Sequence, residues 1–216
     1  MENISEFFNF LLDSEKLIAY GGLTLVLLII FIETGLFFGF FFPGDALLFS
    51  AGLLCGTNHL DVNIFLLLLS VTFAAVLGNV TGFLSGKLFG KKLFAKEDSF
   101  FFKKRHLEKT KLFYQKYGGV SLIGGRFLPI VRTFAPILAG SIDMNFWKFN
   151  TYNIIGAFLW VWTLIPIGYF LGSQFPHLIH HLEYFILAMV IIPTIILIRG
   201  YFKLKKHPEK SLTPKP

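Results

Sequence analysis

Four ionisable side chains lie in segments of this chain that are otherwise apolar. Glu33 and Asp45 interrupt one apolar region, and Arg126 and Arg132 interrupt another. A charge at bilayer depth costs at least about 2.5 to 3.5 kcal/mol on insertion scales, so four isolated charges would cost as much as the stability of a whole domain. We therefore expect these residues to pair with one another, to line water, or to bind a charged substrate.

The two arginines predict a phosphate site. A guanidinium is permanently charged, and its planar fork can hold phosphate oxygens through two parallel hydrogen bonds. The spacing of Arg126 and Arg132 would put them on different faces of a regular helix. A break at Pro129, between them, would let both side chains point into one cavity. We expect Arg126 and Arg132 to bind an anionic head group there.

The two carboxylates suggest proton coupling. Burial and a neighbouring guanidinium act in opposite directions on the ionisation of a carboxylate, so protonation could fall near the working pH. Our hypothesis is that Glu33 and Asp45 pair with the arginines when no lipid is bound and release them on protonation. The alternative is a buried ion-pair network that only holds the protein together.

The composition indicates a membrane protein that crosses the bilayer several times. Of the 216 residues, 54% are hydrophobic and 28 are Phe, and the mean hydropathy is +0.65. That is more apolar surface than a soluble chain of this length could bury. Cys55 is the single cysteine, which excludes an internal disulfide and a CxxC metal or redox site. We expect no metal and no cofactor.

The apolar runs predict an all-α fold with about four transmembrane helices and two re-entrant hairpins. A spanning helix needs about 20 residues, and four runs reach that length with their flanks: 17–32, 62–86, 149–170 and 184–198. Two more regions, about 34–54 and 118–140, are interrupted by Pro43 and Gly44 and by Pro129. Broken backbone at membrane depth must lie inside protein or beside water, so each region is predicted to be a re-entrant hairpin.

The basic residues predict the orientation. Ten of the 20 Lys and Arg lie between Lys87 and Lys116, and six more lie from Arg199 onward. The positive-inside rule then places both segments, and both termini, in the cytoplasm. The hairpins would enter from opposite faces, as in an inverted repeat, and the stretches 42–52 and 127–140 share a Pro followed by Ala-Gly.

These boundaries divide the chain into three parts. We predict an N-terminal interfacial segment, a single membrane domain with a basic cytoplasmic segment inside it, and a basic cytoplasmic tail. Their ranges are 1–16, 17–203 with 87–117 as the basic segment, and 204–216.

Two sequence segments carry a motif set in a recognisable order. FFPGDALLFSAG at 41–52 follows Glu33, and GRFLPIVRTFAPILAGSIDMNFWKFNTYN spans 125–153. The acidic pair, the Pro-Gly-Asp turn, the GRFxPxxR element and the later Ala-Gly resemble the DedA family of bacterial inner-membrane proteins, also called SNARE-associated or VTT-domain proteins. The resemblance covers most of 17–170. It implies opposed re-entrant hairpins and the transport or scrambling of lipid phosphates. For bacteria, it implies the recycling of undecaprenyl phosphate.

The resemblance also assigns residues. The essential acidic pair of the family falls on Glu33 and Asp45, and its essential arginine pair falls on Arg126 and Arg132. These are the same four residues that the charge pattern indicates.

We therefore expect a lipid-phosphate transporter or flippase of the bacterial cytoplasmic membrane, acting on undecaprenyl phosphate and driven by the proton motive force. General phospholipid scrambling, proton-coupled ion antiport and a membrane scaffold stay open as alternatives.

An enzyme is not expected, because a lipid phosphatase needs a histidine nucleophile and all six His lie outside the hairpins. Membrane lipids are the expected partners and homo-oligomers stay open. Nucleic acid is not expected, since membrane flanks account for the net charge of +7.

Overall fold

The structure is a computed structural model, and it describes residues 14–39, 42, 44–95 and 119–175. These residues form helices without any β-sheet, so the predicted all-α class is confirmed for them. The helices are α1 (Ser14–Gly35), α2 (Gly44–Leu54), α3 (Ile64–Ala95), α4 (Val120–Gly125), α5 (Pro129–Ser141) and α6 (Phe146–Gln174).

Two of these helices are long and apolar enough to cross a membrane. The apolar part of α3 is Ile64–Phe89, with 26 residues and a mean hydropathy of 2.2, and α6 has 29 residues and a mean hydropathy of 1.9. Both exceed the roughly 20 residues that a span requires. Only 33% of the most apolar part of each helix is buried within the protein, and large apolar side chains such as Phe73 and Phe158 are exposed, as they are in lipid.

The first predicted span, 17–32, is not one straight helix. Gly22 has φ 52° and ψ −147°, a backbone conformation that glycine adopts easily, and it kinks α1. The apolar part of α1, which contains this kink, is Tyr20–Gly35, and it is shorter than a span. Helix α1 also continues through Thr34, where the first hairpin was expected to begin.

Several predicted segments lie outside the described residues. They include Pro43, most of the basic segment 87–117, the fourth predicted span at 184–198 and the tail 204–216.

Helices α2 and α5 are short, and each follows a break in the helical structure. Helix α2 has 11 residues and begins at Gly44, while α5 has 13 residues and begins at Pro129. Proline suits this first-turn position, because its missing N–H would have no helical partner there. The predicted break at Pro129 is therefore the start of a helix, and the backbone turns just before it.

Each short helix packs closely against one long helix through glycines. A Cβ on any of four glycines would overlap a backbone carbonyl oxygen of the facing helix. The glycines and the residues they meet are Gly52 with Ile165, Gly168 with Phe49, Gly140 with Phe83, and Gly86 with Ile137.

These contacts are reciprocal and have the same spacing in both helix pairs. On every helix the glycine follows, by three positions, the residue whose carbonyl meets the partner's glycine. The pair α2 and α6 therefore repeats the contact pattern of the pair α3 and α5. The Ala-Gly steps that suggested an internal repeat, at 51–52 and 139–140, lie at these contacts.

Candidate functional site

The four charged residues predicted from the sequence meet where the short helices begin. Glu33 lies in the last turn of α1 and Asp45 in the first turn of α2. Arg132 lies in the first turn of α5, and Arg126 directly follows α4. Glu33, Arg126 and Arg132 are at most 3% exposed, whereas the Asp45 side chain is 21% exposed. The breaks between α1 and α2 and between α4 and α5 thus bring all four charges into one region.

Arg132 pairs with both carboxylates. Its Nη2 donates to the Glu33 carboxylate, and its Nη1 donates to Asp45 Oδ1 at 2.6 Å. One guanidinium fork therefore joins α1, α2 and α5. With one positive and two negative charges, this ion-paired group carries a formal charge of −1 when both carboxylates are ionised.

Gly44 allows the Glu33 carboxylate to lie against the start of α2. A Cβ at Gly44 would overlap the carboxylate oxygens of Glu33. The positive end of the helix dipole at this terminus favours the two carboxylates beside it. The glycine of the Pro-Gly-Asp sequence is therefore needed for close packing at the site.

Trp160 on α6 supports the same ion pairs. Its indole Nε1 donates to Asp45 Oδ1 at 2.7 Å, and the Cζ of Arg132 lies 4.3 Å from the ring centroid. The second distance is typical of a cation–π interaction. The side chain is 1% exposed, so it is part of the site as well as of the core.

Arg126 has different surroundings, made of neutral groups. Its Nη1 donates to the side-chain oxygen of Asn153 at 3.1 Å, and its Nη2 donates to the Ala75 carbonyl at 3.5 Å. The amide of Asn79, with its oxygen toward Arg126, accepts from the guanidinium, and its nitrogen donates to the Thr34 carbonyl at 3.0 Å. Arg126 Nε is buried without a hydrogen-bond partner. In the described part of the chain, Arg126 forms no ion pair.

The two arginines converge on one small cavity. Arg126 and Arg132 line it together with the two asparagines, and the rest of its wall is mostly apolar: Leu122, Ala135, Pro136 and Phe149. It has room for about one water molecule. The Cζ of Arg126 also lies 5.5 Å from the Trp160 ring centroid, so both guanidiniums approach the same indole.

Sequence reasoning missed Trp160, Asn79 and Asn153 as site residues. Asn153, Gly156 and Trp160 have the i, i+3, i+7 spacing of one helix face, and Gly156 packs against the Arg126 side chain. An amide and an indole N–H on one face of an apolar span were the available signal. Their partners could not be read from that spacing.

Comparison with known proteins gives consistent matches. The model of the VTT domain matches residues 42–170, more than half of the chain. Protein DedA of Escherichia coli K12 is 39% identical over 183 residues, covering 85% of this chain and 82% of that protein. An uncharacterized membrane protein of Mycobacterium tuberculosis is 38% identical over 190 residues, covering 86% and 82%.

A more distant relative has a name that states its location. The inner membrane protein YqjA of Escherichia coli K12 is 30% identical over 181 residues, covering 83% of this chain and 81% of that protein. No solved structure matches the chain significantly.

Proposed function

The chain belongs to the VTT-domain family of membrane proteins that includes protein DedA, and on that premise we propose that it moves lipid phosphates between the leaflets of the bacterial cytoplasmic membrane. The proposed substrate is undecaprenyl phosphate, returned to the cytoplasmic leaflet for reuse as a carrier lipid. The observation that carries the proposal is Arg126, a buried cation without a carboxylate partner in the described part of the chain.

A buried guanidinium without a counter-ion is expensive to keep. Its neighbours Asn153 and Ala75 supply hydrogen bonds but no negative charge. Removing the partner of a buried charge typically destabilises a protein by about 3 to 5 kcal/mol, so a structural role alone would favour a carboxylate here. A phosphate group would supply the negative charge and two oxygens that accept parallel hydrogen bonds from the guanidinium fork.

The helix termini at the site favour the same ligand. Asp45 and Arg132 lie in the first turns of α2 and α5, whose N-terminal ends carry the positive end of the helix dipole. Discontinuous helices that point their N-termini at an anionic substrate are typical of transporters with inverted repeats.

We propose that regions 34–54 and 118–140 are re-entrant hairpins that enter from opposite faces, between four spans, with both termini in the cytoplasm. Helices α2 and α5 are too short to cross the hydrocarbon, which supports this arrangement. The reciprocal glycine contacts in the two helix pairs are what related halves would produce.

Exposed phenylalanines close in sequence to the charged residues suit a head group with a long tail. Phe127, next in the chain, is 49% exposed, and Phe38, before the start of α2, is 70% exposed. These apolar side chains would face lipid or a polyprenyl tail while the phosphate entered between the helices. We propose a transport step without any chemical change to the lipid.

Proton coupling is the second part of the proposal. Protonation of Glu33 or Asp45 would weaken its pairing with Arg132 and free one side of that guanidinium for a phosphate oxygen. Transport would then depend on pH, and a pH gradient would drive it.

The test is transport of a fluorescent polyprenyl phosphate in liposomes that contain the purified chain. We expect transport by the wild type, little by Arg126→Gln, and reduced transport by Arg126→Lys, which keeps the charge but loses the fork. Lys148→Gln is the matched control, because it removes an exposed cation from α6 that does not line the cavity.

Each alternative predicts a different result in the same liposomes. Equal transport of fluorescent phosphatidylcholine would indicate general scrambling, and proton flux in vesicles without added polyprenyl phosphate would indicate ion antiport. Transport that ignores pH and survives Glu33→Gln would exclude proton coupling. Transport that survives Arg126→Gln would contradict the phosphate site.

A further inference from the structure

Two buried asparagines, Asn79 on α3 and Asn153 on α6, surround the guanidinium of Arg126. They are 4% and 2% exposed. We infer that this amide pair is a specificity determinant: it holds Arg126 in place without neutralising it and so reserves its charge for a phosphate monoester. The inference rests on the proposed function and extends it to residues outside the four charges.

The contrast between the two arginines carries the inference. Arg132 is held by two carboxylates, and Arg126 is held at similar burial by amide and carbonyl oxygens. Asparagine and aspartate have nearly the same shape, so an acid could occupy position 153 with little change in volume. An amide oxygen is a weaker partner for a cation than a carboxylate, and an incoming anion can displace it more easily.

Each amide is oriented by a hydrogen bond from its own nitrogen. Asn153 Nδ2 donates to the Val76 carbonyl on α3 at 3.1 Å, and the Asn79 nitrogen donates to the Thr34 carbonyl on α1 at 3.0 Å. With the nitrogens held, both side-chain oxygens face Arg126. The pair therefore presents acceptors to the guanidinium and links α1, α3 and α6 around it.

Two further observations point to a ligand at this position. Arg126 Nε is buried and has no hydrogen-bond partner. The cavity that both asparagines line with Arg126 has room for about one water, which is enough for one phosphate oxygen. Arg126 has only neutral acceptors among the described residues, so a lipid without an anionic oxygen would gain little by displacing the amides.

The test uses the full chain in nanodiscs of phosphatidylcholine and measures binding of three probes. Polyprenyl phosphate and phosphatidic acid carry the phosphate on a lipid, whereas inorganic phosphate has no lipid part. The variants are Asn153→Asp and Asn153→Ala, with Asn79→Asp as a second acidic variant. The matched control is Asn145→Asp, which adds the same charge at the N-cap of α6, where aspartate serves as well as asparagine.

We expect the aspartate at position 153 to form a permanent ion pair with Arg126. Affinity for both lipid probes should fall on the order of tenfold or more, while the midpoint of thermal unfolding stays near the wild-type value or rises. Asn153→Ala should bind better than Asn153→Asp but unfold at a lower temperature. A purely structural role predicts the opposite order for binding, because alanine leaves a gap and removes both hydrogen bonds.

The outcomes separate the inference from the proposed function. If the wild type binds the lipid probes and Asn153→Asp binds them equally well, the inference is wrong and the proposed function stands. If the wild type binds neither, the proposed function fails. Failure of both acidic variants to fold would contradict the predicted ion pair, and equal binding of inorganic phosphate would assign the site to free phosphate instead of a lipid.

Discussion

The indole nitrogen of Trp160 donates a hydrogen bond to the Asp45 carboxylate across 2.7 Å. The same oxygen of Asp45 accepts from Arg132 at 2.6 Å. Asp45 is the most exposed of the four charges, with 21% of its side chain accessible. Trp160 therefore orients the carboxylate that a proton or a substrate would reach most easily, and it does so from the long helix α6.

Replacing Trp160 with Phe tests this relationship. The change keeps an aromatic ring beneath Arg132 and removes the donor to Asp45. We expect transport to fall several-fold and the free energy of unfolding to fall by about 1.5 to 3 kcal/mol, the usual contribution of a hydrogen bond to a charged group. Liposome transport and unfolding in mixed detergent micelles measure the two effects.

Trp162→Phe is the matched control for this prediction. The indole nitrogen of Trp162 is buried without a hydrogen-bond partner, and its ring stacks on Phe158 with centroids 4.5 Å apart. Phenylalanine would keep the stacking and remove an unsatisfied donor. Equal losses in the two variants would show that ring size, and not the bond to Asp45, is what matters.

The ion-paired group predicts unequal effects for its members. Arg132→Gln leaves Glu33 and Asp45 close together without a cation, whereas Glu33→Gln leaves Arg132 still paired with Asp45. We expect Arg132→Gln to destabilise the protein by about 3 to 5 kcal/mol and Glu33→Gln by clearly less. Unfolding midpoints at neutral pH check the order, and a larger loss in Glu33→Gln would contradict the shared guanidinium.

Much of the site could be predicted from sequence because charges are conspicuous in apolar segments. Glu33, Asp45, Arg126 and Arg132 stand out for that reason, and the lengths of the apolar runs predicted the long helices α3 and α6. The energetic penalty on buried charge makes such residues readable without coordinates.

The partners of each charge could not be predicted. Whether Arg126 or Arg132 meets the carboxylates depends on the direction of side chains after a backbone turn, which residue spacing does not determine. Neutral partners such as Asn153 and Trp160 carry no charge, so their shared helix face was a weaker signal than the four ionisable residues. The kink at Gly22 was missed because residue type does not tell which of the 20 glycines adopts a positive φ inside an apolar run.

Gly44→Ala should impair transport more than stability. The added methyl group would meet the carboxylate of Glu33, which is held by Arg132 and cannot turn toward water because it is 1% exposed. Forcing an extra methyl into a packed site costs about 1 to 3 kcal/mol, and here the strain falls on an ion pair. We expect a many-fold loss of transport in protein that is still folded by circular dichroism; wild-type transport would exclude the close packing.

The reciprocal glycine contacts give the last prediction. If the pairs α2 with α6 and α3 with α5 share one geometry, Gly52→Ala and Gly140→Ala should have similar effects, because each places a methyl group against a backbone carbonyl that cannot move aside. We expect each to lower the free energy of unfolding by about 1 to 3 kcal/mol. Gly124→Ala is the control, since a Cβ there has no atom outside its own helix within 4 Å, and replacing glycine in a helix is neutral or stabilising. A loss in Gly124→Ala as large as that in Gly140→Ala would show that the losses do not come from the carbonyl contacts, and wild-type stability of Gly140→Ala would show that the helix pair tolerates a wider separation.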